Sequence, residues 1–404
     1  MKAIPFRVAG RVLDVCAAAT AALLRPLGVR FLQIRSTRIG EVGASLGYFV
    51  ESGDLGWRKR VHGVFLSFPD QRRVPNPCYL NYWRRYVGVI TNPIAYRFAF
   101  RVAERPGMRH PVRAAVLPNA EEVIVDRALV ASHPRWERLT QRPLLQLDPD
   151  HERRARQQLA RFGIGAEDWF VAVHAREGAF FQEDEGSPER HRNASIASYV
   201  PAMRQIVERG GWVVRVGDPT MTPLPPLDRV IDYPHTEART DWMDVYLAAA
   251  CRFFLGCSSG LFVIAWSFGR PCALANWNSI VTRPWGLRDL YIPKLWWIEG
   301  EERFLTFREA LAREFAERAN TEELEEAGLR LVDNSEEEIS ELVDEVFARE
   351  EGVPYTPEEE DRQRRLDSIS TLYPYGAAAR MGTAFLRRHA NLLVDEVGAS
   401  SRGD

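Results

Sequence analysis

Side chains of types that bind phosphate follow a buried strand in the second half of the chain. The apolar run 169–174 ends at His174 and is followed by Ala175, Arg176 and Glu177. Because residues i and i+2 of an extended segment point to the same side, His174 and Arg176 are expected to present an imidazole and a guanidinium fork together. That pair could hold a diphosphate or a leaving group. The alternative is a core histidine beside a structural ion pair of Arg176.

A second segment of small and hydroxyl-bearing residues follows another predicted strand. It reads Gly256-Cys257-Ser258-Ser259-Gly260 and leads into a predicted helix, whose residues 261–267 follow it and whose start is predicted at Ser258. Small residues let the protein backbone come close to a ligand, and hydroxyls donate hydrogen bonds to it. The free N–H groups at the start of a helix favour anions. The segment therefore predicts a phosphate cradle without a Walker lysine. An ordinary serine N-cap is the alternative.

A third segment ends the strand predicted over 212–216. Gly217, Asp218 and Met221 lie there and could hold a ribose hydroxyl or a base edge of a nucleotide. Gly-Asp-Pro is equally strong turn chemistry, so a plain turn stays open. Asn276, after the last strand of this half, is a weaker candidate for the same role.

The elements that must position these residues alternate regularly. Strands predicted over 169–174, 212–216, 229–233, 253–256 and 272–276 are separated by helices, which is typical of a parallel doubly wound sheet. An earlier half opens with a strand (29–34), a glycine-containing turn (35–43) and a helix (44–50), and strands are predicted at 63–67, 85–90 and 114–117. The C-terminal part reads as helices over 306–317, 321–331, 335–349 and 380–393. We therefore predict an α/β fold of two Rossmann-like, doubly wound parallel-sheet domains: an N-terminal helical segment (1–28), a first domain (29–147), a second domain (148–350) and a helical tail (351–404).

Composition excludes several classes of protein. The chain has 404 residues, 46% of them hydrophobic and 27% charged, with 53 basic and 55 acidic residues. A net charge of −2 argues against a nucleic-acid partner. Only three of the basic residues are lysines, which indicates biased codon usage. GxGxxG, GxxxxGK[ST] and HExxH segments are absent from the sequence, so nicotinamide, Walker-type phosphate and zincin sites are not predicted. The segment 256–260 has GxSxG spacing, but the order of its cysteine and serines relative to His174 and His235 suggests no catalytic triad, so a hydrolase elbow is not predicted.

Metal and disulfide sites are not predicted either. The five cysteines form no CxxC pair, which favours reduced thiols in a cytoplasmic protein. Asp148-Pro-Asp150 matches a DxD metal signature superficially, but an aspartate cap followed by a helix explains it better. We expect no metal.

The N-terminus combines a basic stretch (1–7) with an apolar run (15–24). The run is too short to cross a bilayer and lacks a convincing cleavage site. It predicts either simple packing or an amphipathic helix that contacts the inner face of a membrane.

Taken together, several segments resemble a bacterial family of glycosyltransferases from surface-polysaccharide gene clusters. More distantly they resemble fucosyltransferase-like enzymes of the GT-B class, in which a His-x-Arg segment and a serine-bearing strand–helix turn hold the sugar-nucleotide diphosphate. At position 177, where fucosyltransferases often carry a second arginine, this chain has Glu177, so a GDP-linked donor is not implied. The near match covers about 168–277 and rests on Val171-Ala-Val-His-Ala-Arg-Glu-Gly178, Arg192-Asn-Ala-Ser195, Tyr199, Val214-Arg-Val-Gly-Asp-Pro-Thr-Met221, Ile231-Asp-Tyr233, Trp242-Met-Asp244, Phe253-Phe-Leu-Gly-Cys-Ser-Ser-Gly260 and Phe268-Gly-Arg-Pro271.

The resemblance implies a two-domain GT-B-like glycosyltransferase. Its first domain would bind a glycan or lipid-linked acceptor near Arg35, Arg38 and Gly40, in a turn like the first turn of a GT-B acceptor domain. Its second domain would bind a nucleotide-diphosphate sugar as co-substrate, with no other cofactor. Arg176 and the Ser258–Gly260 amides would stabilise the departing diphosphate. The general base stays open between Glu177 and the 35–41 loop.

Two other functions fit the same scaffold. One is a nucleotide-sugar epimerase or hydrolase. The other is a non-catalytic protein that binds nucleotide sugars.

Overall fold

The chain divides into two compact units, Met1–Gln146 and Leu147–Asp404. The structure is a computed structural model that describes residues 4–34, 37–67, 76–111, 114–117, 122–178, 187–279, 282–313, 320–369 and 379–393.

The first unit is built on a four-stranded parallel sheet in the order β3-β2-β1-β4. The chain runs from β1 outward to β3 and then returns to place β4 on the other side of β1, so the strand order reverses there. A separate antiparallel pair joins β5 and β6. The strands are β1 (Val29–Gln33), β2 (His62–Leu66), β3 (Gly88–Ile90), β4 (Arg109–Pro111), β5 (Ala114–Val116) and β6 (Glu122–Ile124); the helices are α1 (Ile4–Leu24), α2 (Ile39–Asp54), α3 (Pro77–Tyr82), α4 (Pro93–Ala103) and α5 (Val125–Thr140).

Helix α2 is the buried centre of this unit, because every residue from Val42 to Gly53 is shielded from solvent. It lies close against β2: a Cβ atom at Gly63 would come within 2.8 Å of the Phe49 ring. A glycine at 63 therefore lets the helix approach the sheet, and the helix start is held at the carboxyl end of β1.

Helix α1, predicted as a separate N-terminal segment, packs into the core of the first unit. Its small residues Ala17 and Ala21 are buried against Phe31, Val102 and Met108. Small side chains allow close packing on α4 and leave the opposite face of α1 exposed.

The second unit contains a seven-stranded parallel sheet in the order β16-β12-β11-β10-β7-β8-β9. All five residues of β7 are buried, as expected of a parallel strand covered on both faces. The predicted α/β class with doubly wound parallel sheets is confirmed. The strands are β7 (Phe170–His174), β8 (Trp212–Arg215), β9 (Val230–Asp232), β10 (Phe254–Gly256), β11 (Cys272–Trp277), β12 (Leu290–Pro293), β13 (Leu295–Ile298), β14 (Arg303–Phe304), β15 (Leu329–Val332) and β16 (Arg380–Met381); the helices are α6 (Pro149–Arg161), α7 (Val200–Glu208), α8 (Asp241–Ala250), α9 (Phe262–Ser267), α10 (Phe307–Leu311), α11 (Thr321–Glu326), α12 (Glu336–Glu350), α13 (Pro357–Ile369) and α14 (Thr383–Arg388).

The predicted helix over 321–331 is wrong in its second half. Helix α11 ends at Glu326, and Gly328 adopts a positive φ of 64° that turns the chain out of the helix. Leu329 then starts β15, which pairs with β13 and buries Leu329 beside Trp296. Burial in this small antiparallel sheet outweighs the helix propensity of the segment.

The predicted tail over 351–404 is not purely helical. Arg380 and Met381 form β16, which pairs with Leu290 and Tyr291 and extends the parallel sheet. The helix predicted over 380–393 is correspondingly shortened to α14, and part of the helix predicted over 306–317 lies outside the described residues.

Candidate functional site

The strand order of the second unit reverses between β7 and β10. Strands β8 and β9 extend the sheet on one side of β7, and the chain then crosses back to place β10 on its other side. His174 and Gly256 are paired across the two carboxyl ends at this point. Doubly wound sheets bind their ligands outside such a reversal, so the predicted site segments meet where a ligand crevice is expected.

His174 ends β7 as a buried, neutral imidazole. Its Nδ1–H donates to the carbonyl oxygen of Val216 at 3.0 Å. Burial lowers the pKa of His174 to about 4, even though that hydrogen bond acts in the opposite direction. Since a carbonyl can only accept, the proton is on Nδ1 and Nε2 is left as an acceptor. His174 can therefore accept a hydrogen bond from a ligand hydroxyl, and it adds no positive charge to the site.

Arg176 is buried and held by the segment 187–193. Its guanidinium donates to the Glu189 carboxylate at 3.2 Å, to the Glu189 carbonyl at 3.3 Å and to Asn193 Oδ1. Its backbone N–H donates to Cys257 Sγ at 3.1 Å. Arg176 and His174 thus contact different elements, unlike the parallel presentation expected from their i, i+2 spacing, because Arg176 lies beyond the last residue of β7.

Two cations that were not among the site residues predicted from the sequence complete a positive cluster. Arg192 donates to the same Glu189 carboxylate at 3.0 Å and to the Ser258 carbonyl at 3.1 Å. Lys294, directly after β12, is buried and donates from Nζ to the Asn193 carbonyl at 2.6 Å and to Asp333 at 2.7 Å. We call Arg176, Arg192 and Lys294 the cation cluster.

Titration of nearby groups reflects the field of the cation cluster. Burial lowers the pKa of His191 to about 4, and the charges of Arg192 and Lys294 lower it further. Burial raises the pKa of the Cys257 thiol, and all three cations oppose that rise. The cluster therefore acts on the loop after β10 at short range, and Cys257 is a protonated, buried thiol.

The Cys257–Gly260 loop has the compactness that was predicted but a later helix start. A Cβ atom at Gly256 would lie 2.9 Å from the His174 carbonyl oxygen, so close strand approach requires glycine there. Helix α9 begins only at Phe262, which corrects the helix predicted from Ser258. The reason is a tertiary contact: Ser258 Oγ accepts from the Asn278 N–H at 2.9 Å instead of capping the helix.

Ser259 is the loop residue with unused hydrogen-bonding capacity. It is 7% exposed, and its Oγ has no hydrogen-bond partner among the described residues. A buried hydroxyl without a partner is costly, and ligand oxygens or ordered water normally satisfy it. Ser259 therefore supports the predicted role of this loop in ligand binding.

Glu177 holds the neighbouring loop. Its carboxylate accepts from Arg215 at 3.1 Å and from the Thr222 N–H and hydroxyl at 2.8 and 2.9 Å. Arg215 is fully buried and also donates to Asp232 at 3.0 Å and to the Thr222 carbonyl at 2.8 Å. This network fixes the 217–224 loop at the end of β8. The contacts of Glu177 therefore position that loop.

The 217–224 loop itself is a tight turn. Gly217 has a φ of 152°, and a Cβ atom there would collide with Met221 Sδ. Asp218 Oδ1 accepts from the Thr220 N–H at 2.9 Å and from its hydroxyl. Gly217, Asp218 and Met221 therefore lie together, and the turn chemistry predicted as the alternative is present.

Asn276 lies in the core of the second unit. It is fully buried, with a positive φ of 52°. Its Nδ2 donates to the Tyr199 hydroxyl at 3.2 Å, and its Oδ1 accepts from the Asn334 N–H at 2.8 Å. Both ends of the side chain thus bind protein groups, which joins β11 to the start of α12.

A carboxyl with an unusual pKa lies near the Gly217 turn and was not among the site residues predicted from the sequence. Burial raises the pKa of Asp244, on α8, to about 7, while the charge of Arg239 opposes the rise. Arg239 in turn donates to the Gly217 carbonyl at 3.4 Å. Asp244 can therefore hold or release a proton near neutral pH; its signal in the sequence was only the charge at a helix start.

In the first unit, Arg38 and Gly40 of the predicted acceptor residues follow β1, next to which the strand order reverses. Arg38 is the N-cap residue of α2 with no side-chain capping bond, and Gly40 is in the first turn of that helix. Glu41 is the acidic residue of the same turn. Arg35 is outside the described residues. The 37–41 stretch thus follows β1 at the carboxyl edge of its own sheet.

Asp148 and Asp150 form the segment that matches a DxD metal signature. Asp148 Oδ1 accepts from the Asp150 N–H at 2.8 Å, which confirms the predicted helix cap. In the ranges that the structure describes, no group of three or more His, Cys, Asp or Glu residues could hold a metal ion.

Comparison with known proteins gives no match to any protein-family model and no match among curated proteins. Solved structures with a similar fold include the glycosyl transferase family 9 protein of Veillonella parvula DSM 2008 (10% identity, 80% of this chain and 96% of that chain, TM-score 0.47). They also include the E. coli ADP-heptose lps heptosyltransferase II (16% identity, 80% of this chain and 100% of that chain, TM-score 0.43) and E. coli heptosyltransferase WaaC with ADP (12% identity, 66% and 91%, TM-score 0.34).

Proposed function

We propose that this protein is a glycosyltransferase that moves a sugar from a nucleotide-diphosphate sugar to a glycan or lipid-linked acceptor, without a bound metal. The observation that carries the proposal is the cation cluster beside the Cys257–Gly260 loop, at the strand-order reversal of the second unit. The arrangement has the chemistry of a diphosphate site: two guanidinium forks, one ammonium and an unsatisfied hydroxyl.

The proposed chemistry follows from where charge develops. When the bond from the sugar to the diphosphate breaks, negative charge grows on the departing phosphate oxygen. Fixed cations in a site that is largely shielded from water stabilise that charge without reorganising. Arg176 and Arg192 are the groups that would stabilise this charge. Lys294 would support them by holding the Asn193 backbone through its hydrogen bond to the Asn193 carbonyl.

The remaining donor contacts are assigned by position. The Gly217–Met221 turn would take the nucleoside, and the free Nε2 of His174 would accept a hydrogen bond from a sugar or ribose hydroxyl. Asn276 is fully buried, so its proposed role in the donor site is to hold the surrounding protein groups in place and not to contact the nucleotide.

The acceptor is proposed to bind the first unit at the start of α2, near Arg35, Arg38 and Gly40. Glu41 is the carboxylate in the first turn of α2, and it is our candidate for the general base that takes the proton of the acceptor hydroxyl. Glu177 is less suited, because Arg215 and Thr222 already bind both of its carboxylate oxygens.

A ligand screen tests the proposed function. We expect one nucleoside diphosphate, or its sugar conjugate, to raise the melting temperature by about 5 °C when present at about 100 times its Kd, since such occupancy adds about 2.7 kcal/mol. The matching monophosphate should give a smaller shift. Donor turnover that requires an added glycan or lipid-linked acceptor then identifies a transferase.

The same screen distinguishes the transferase from the two other functions that fit the scaffold. Donor turnover without any acceptor indicates a hydrolase or epimerase, and binding without turnover indicates a non-catalytic binding protein. If no nucleoside diphosphate or conjugate shifts the melting temperature, the proposed function is wrong.

We further propose that α1 brings the enzyme to a membrane that carries the acceptor. Among the described residues no helix has the length and hydropathy to cross a bilayer. The face of α1 opposite Ala17 and Ala21 is nevertheless apolar and exposed, through the large side chains Val12, Val15 and Leu23, which are 56–71% exposed. Arg11 is exposed beside this stripe, whereas Asp14 is already paired with Arg101 and Arg105. An exposed apolar stripe beside an arginine fits an anionic lipid surface.

Replacing Val15 and Leu23 by glutamate should therefore weaken binding to vesicles that contain phosphatidylglycerol by at least about tenfold, because two apolar side chains no longer enter the lipid. Co-sedimentation with vesicles measures the bound fraction. Leu139→Glu, an equally exposed leucine on α5, is the matched control and should bind as the wild type does. Equal sedimentation of the double variant and the wild type would contradict a lipid-binding role for α1.

A further inference from the structure

Glu189 occupies the position between two guanidinium groups that a phosphate oxygen would take. One oxygen, Oε2, accepts from Arg176 at 3.2 Å and from Arg192 at 3.0 Å. The Glu189 side chain is 23% exposed, so the bridged oxygen is shielded while the group keeps a path to solvent. A carboxylate and a phosphate present the same acceptor geometry to an arginine fork.

The backbone around Glu189 is fixed on both sides. The carbonyl of Pro188 accepts from the Thr321 N–H at 2.9 Å, and the carbonyl of Asn193 accepts from Lys294 at 2.6 Å. Between them Arg190 is paired with Glu325 on α11. Because the backbone is held, a ligand can displace the Glu189 carboxylate by rotation of the side chain alone.

We propose that Glu189 is an internal competitor for the donor diphosphate, which keeps weakly bound anions from occupying the cation cluster. The inference rests on the proposed function, since it concerns the same site. The carboxylate covers both guanidinium groups until a diphosphate replaces it and takes over their hydrogen bonds.

Charge explains why weakly bound anions are kept out. A tethered carboxylate is present at high effective concentration, so an anion with a single charge gains little by replacing it. A diphosphate brings at least two charges and several acceptor oxygens, and it therefore gains free energy from the exchange. The apparent affinity of every anion is reduced by the fraction of molecules in which Glu189 covers the arginines.

The test is Glu189→Gln, which keeps the shape of the side chain and removes its charge. We expect the Kd of inorganic pyrophosphate, measured by calorimetry at fixed ionic strength, to fall by about fivefold or more, and the Kd of inorganic phosphate to fall by at most a similar factor, because both anions must displace the same carboxylate. Glu325→Gln is the matched control, because it removes the same charge from the partner of Arg190 without touching the bridge, and its affinities should equal those of the wild type.

Glu189→Asp covers the case in which the glutamine variant does not fold. The shorter carboxylate keeps the charge but cannot reach both guanidinium groups at once, so pyrophosphate affinity should lie between those of the wild type and Glu189→Gln. Unchanged or weaker pyrophosphate binding in the folded variants, while the wild type binds nucleoside diphosphates, would overturn the role of Glu189 and leave the proposed function standing. Tighter pyrophosphate binding in Glu189→Gln, with no nucleoside diphosphate bound by any variant, would support the role of Glu189 and overturn the proposed function.

Discussion

Replacing Arg192 by methionine is expected to raise the Kd for the donor nucleoside diphosphate by about 100-fold and to lower kcat/KM for transfer at least as much. The guanidinium lies between the Glu189 carboxylate and the Ser258 carbonyl, so its fork is aimed at the loop proposed to hold the diphosphate. Hydrogen bonds to charged groups contribute about 1.5–3 kcal/mol each, and about 2.8 kcal/mol corresponds to 100-fold. Calorimetry with the nucleoside diphosphate and steady-state kinetics measure the two effects.

Two further variants separate a binding role of Arg192 from a structural one. Arg190→Met removes an arginine two positions away, from an exposed pair with Glu325, and should leave both constants within about twofold. Arg192→Lys keeps the charge and loses the fork, so its Kd should be intermediate. Wild-type affinity in a folded Arg192→Met variant would exclude Arg192 from the donor site and would weaken the assignment of the cation cluster.

The sequence could predict the part of the site that is local along the chain. His174 and Gly256 end strands whose apolar runs are unmistakable, and the order of strands and helices places both at one edge of a parallel sheet. The same reasoning predicted a helix after β1, but it placed Gly40 in the preceding turn, whereas the structure starts that helix at Ile39.

What the sequence could not predict depends on contacts between distant segments. Lys294 reaches Asn193 across 101 positions, and Arg192 reaches Ser258 across 66. Neither arginine nor lysine carries a local signal of such a contact, particularly in a chain so rich in arginine. The late start of α9 has the same origin, since the bond from Asn278 to Ser258 is a tertiary one that overrides the capping preference of serine.

The role of Glu177 shows the same limit. A carboxylate beside Arg176 in sequence invites a catalytic interpretation. In the structure its partner is Arg215 on the neighbouring strand, 38 positions away, together with Thr222. Strand register therefore decides which neighbour a side chain at the end of a strand meets, and register is not visible in a single sequence.

Loss of Arg215 should strongly destabilise the second unit. Its side chain is 0% exposed, and it lies between the carboxylates of Glu177 and Asp232. Arg215→Met would leave two largely buried carboxylates without their cation, and breaking a buried ion pair in this way costs about 3 kcal/mol. Urea unfolding at pH 7 should show this loss, and nucleotide affinity should fall as well because the 217–224 loop is no longer held.

The pH dependence of that loss has a definite sign. Burial alone would raise the pKa of Asp232, but hydrogen bonds from the Leu224 N–H, Arg215 and His235 lower it below its usual value. The stability that Asp232 contributes is therefore present above the pKa of the unfolded chain, about 3.9, and disappears as the pH falls through the lower pKa of the folded protein. A protonated carboxyl does not need Arg215, so the difference between the wild type and Arg215→Met should shrink from pH 7 to pH 3.

Arg209→Met is the matched control, because Arg209 is 38% exposed and pairs with Asp344 at the surface. Its unfolding free energy should stay within about 0.5 kcal/mol of the wild type at both pH values. If Arg215→Met loses as much at pH 3 as at pH 7, the cost comes from lost packing of a large side chain and not from unpaired carboxylates. If it loses less than 1 kcal/mol at pH 7, the two carboxylates find water or other donors, and the 217–224 loop is held by its own turn.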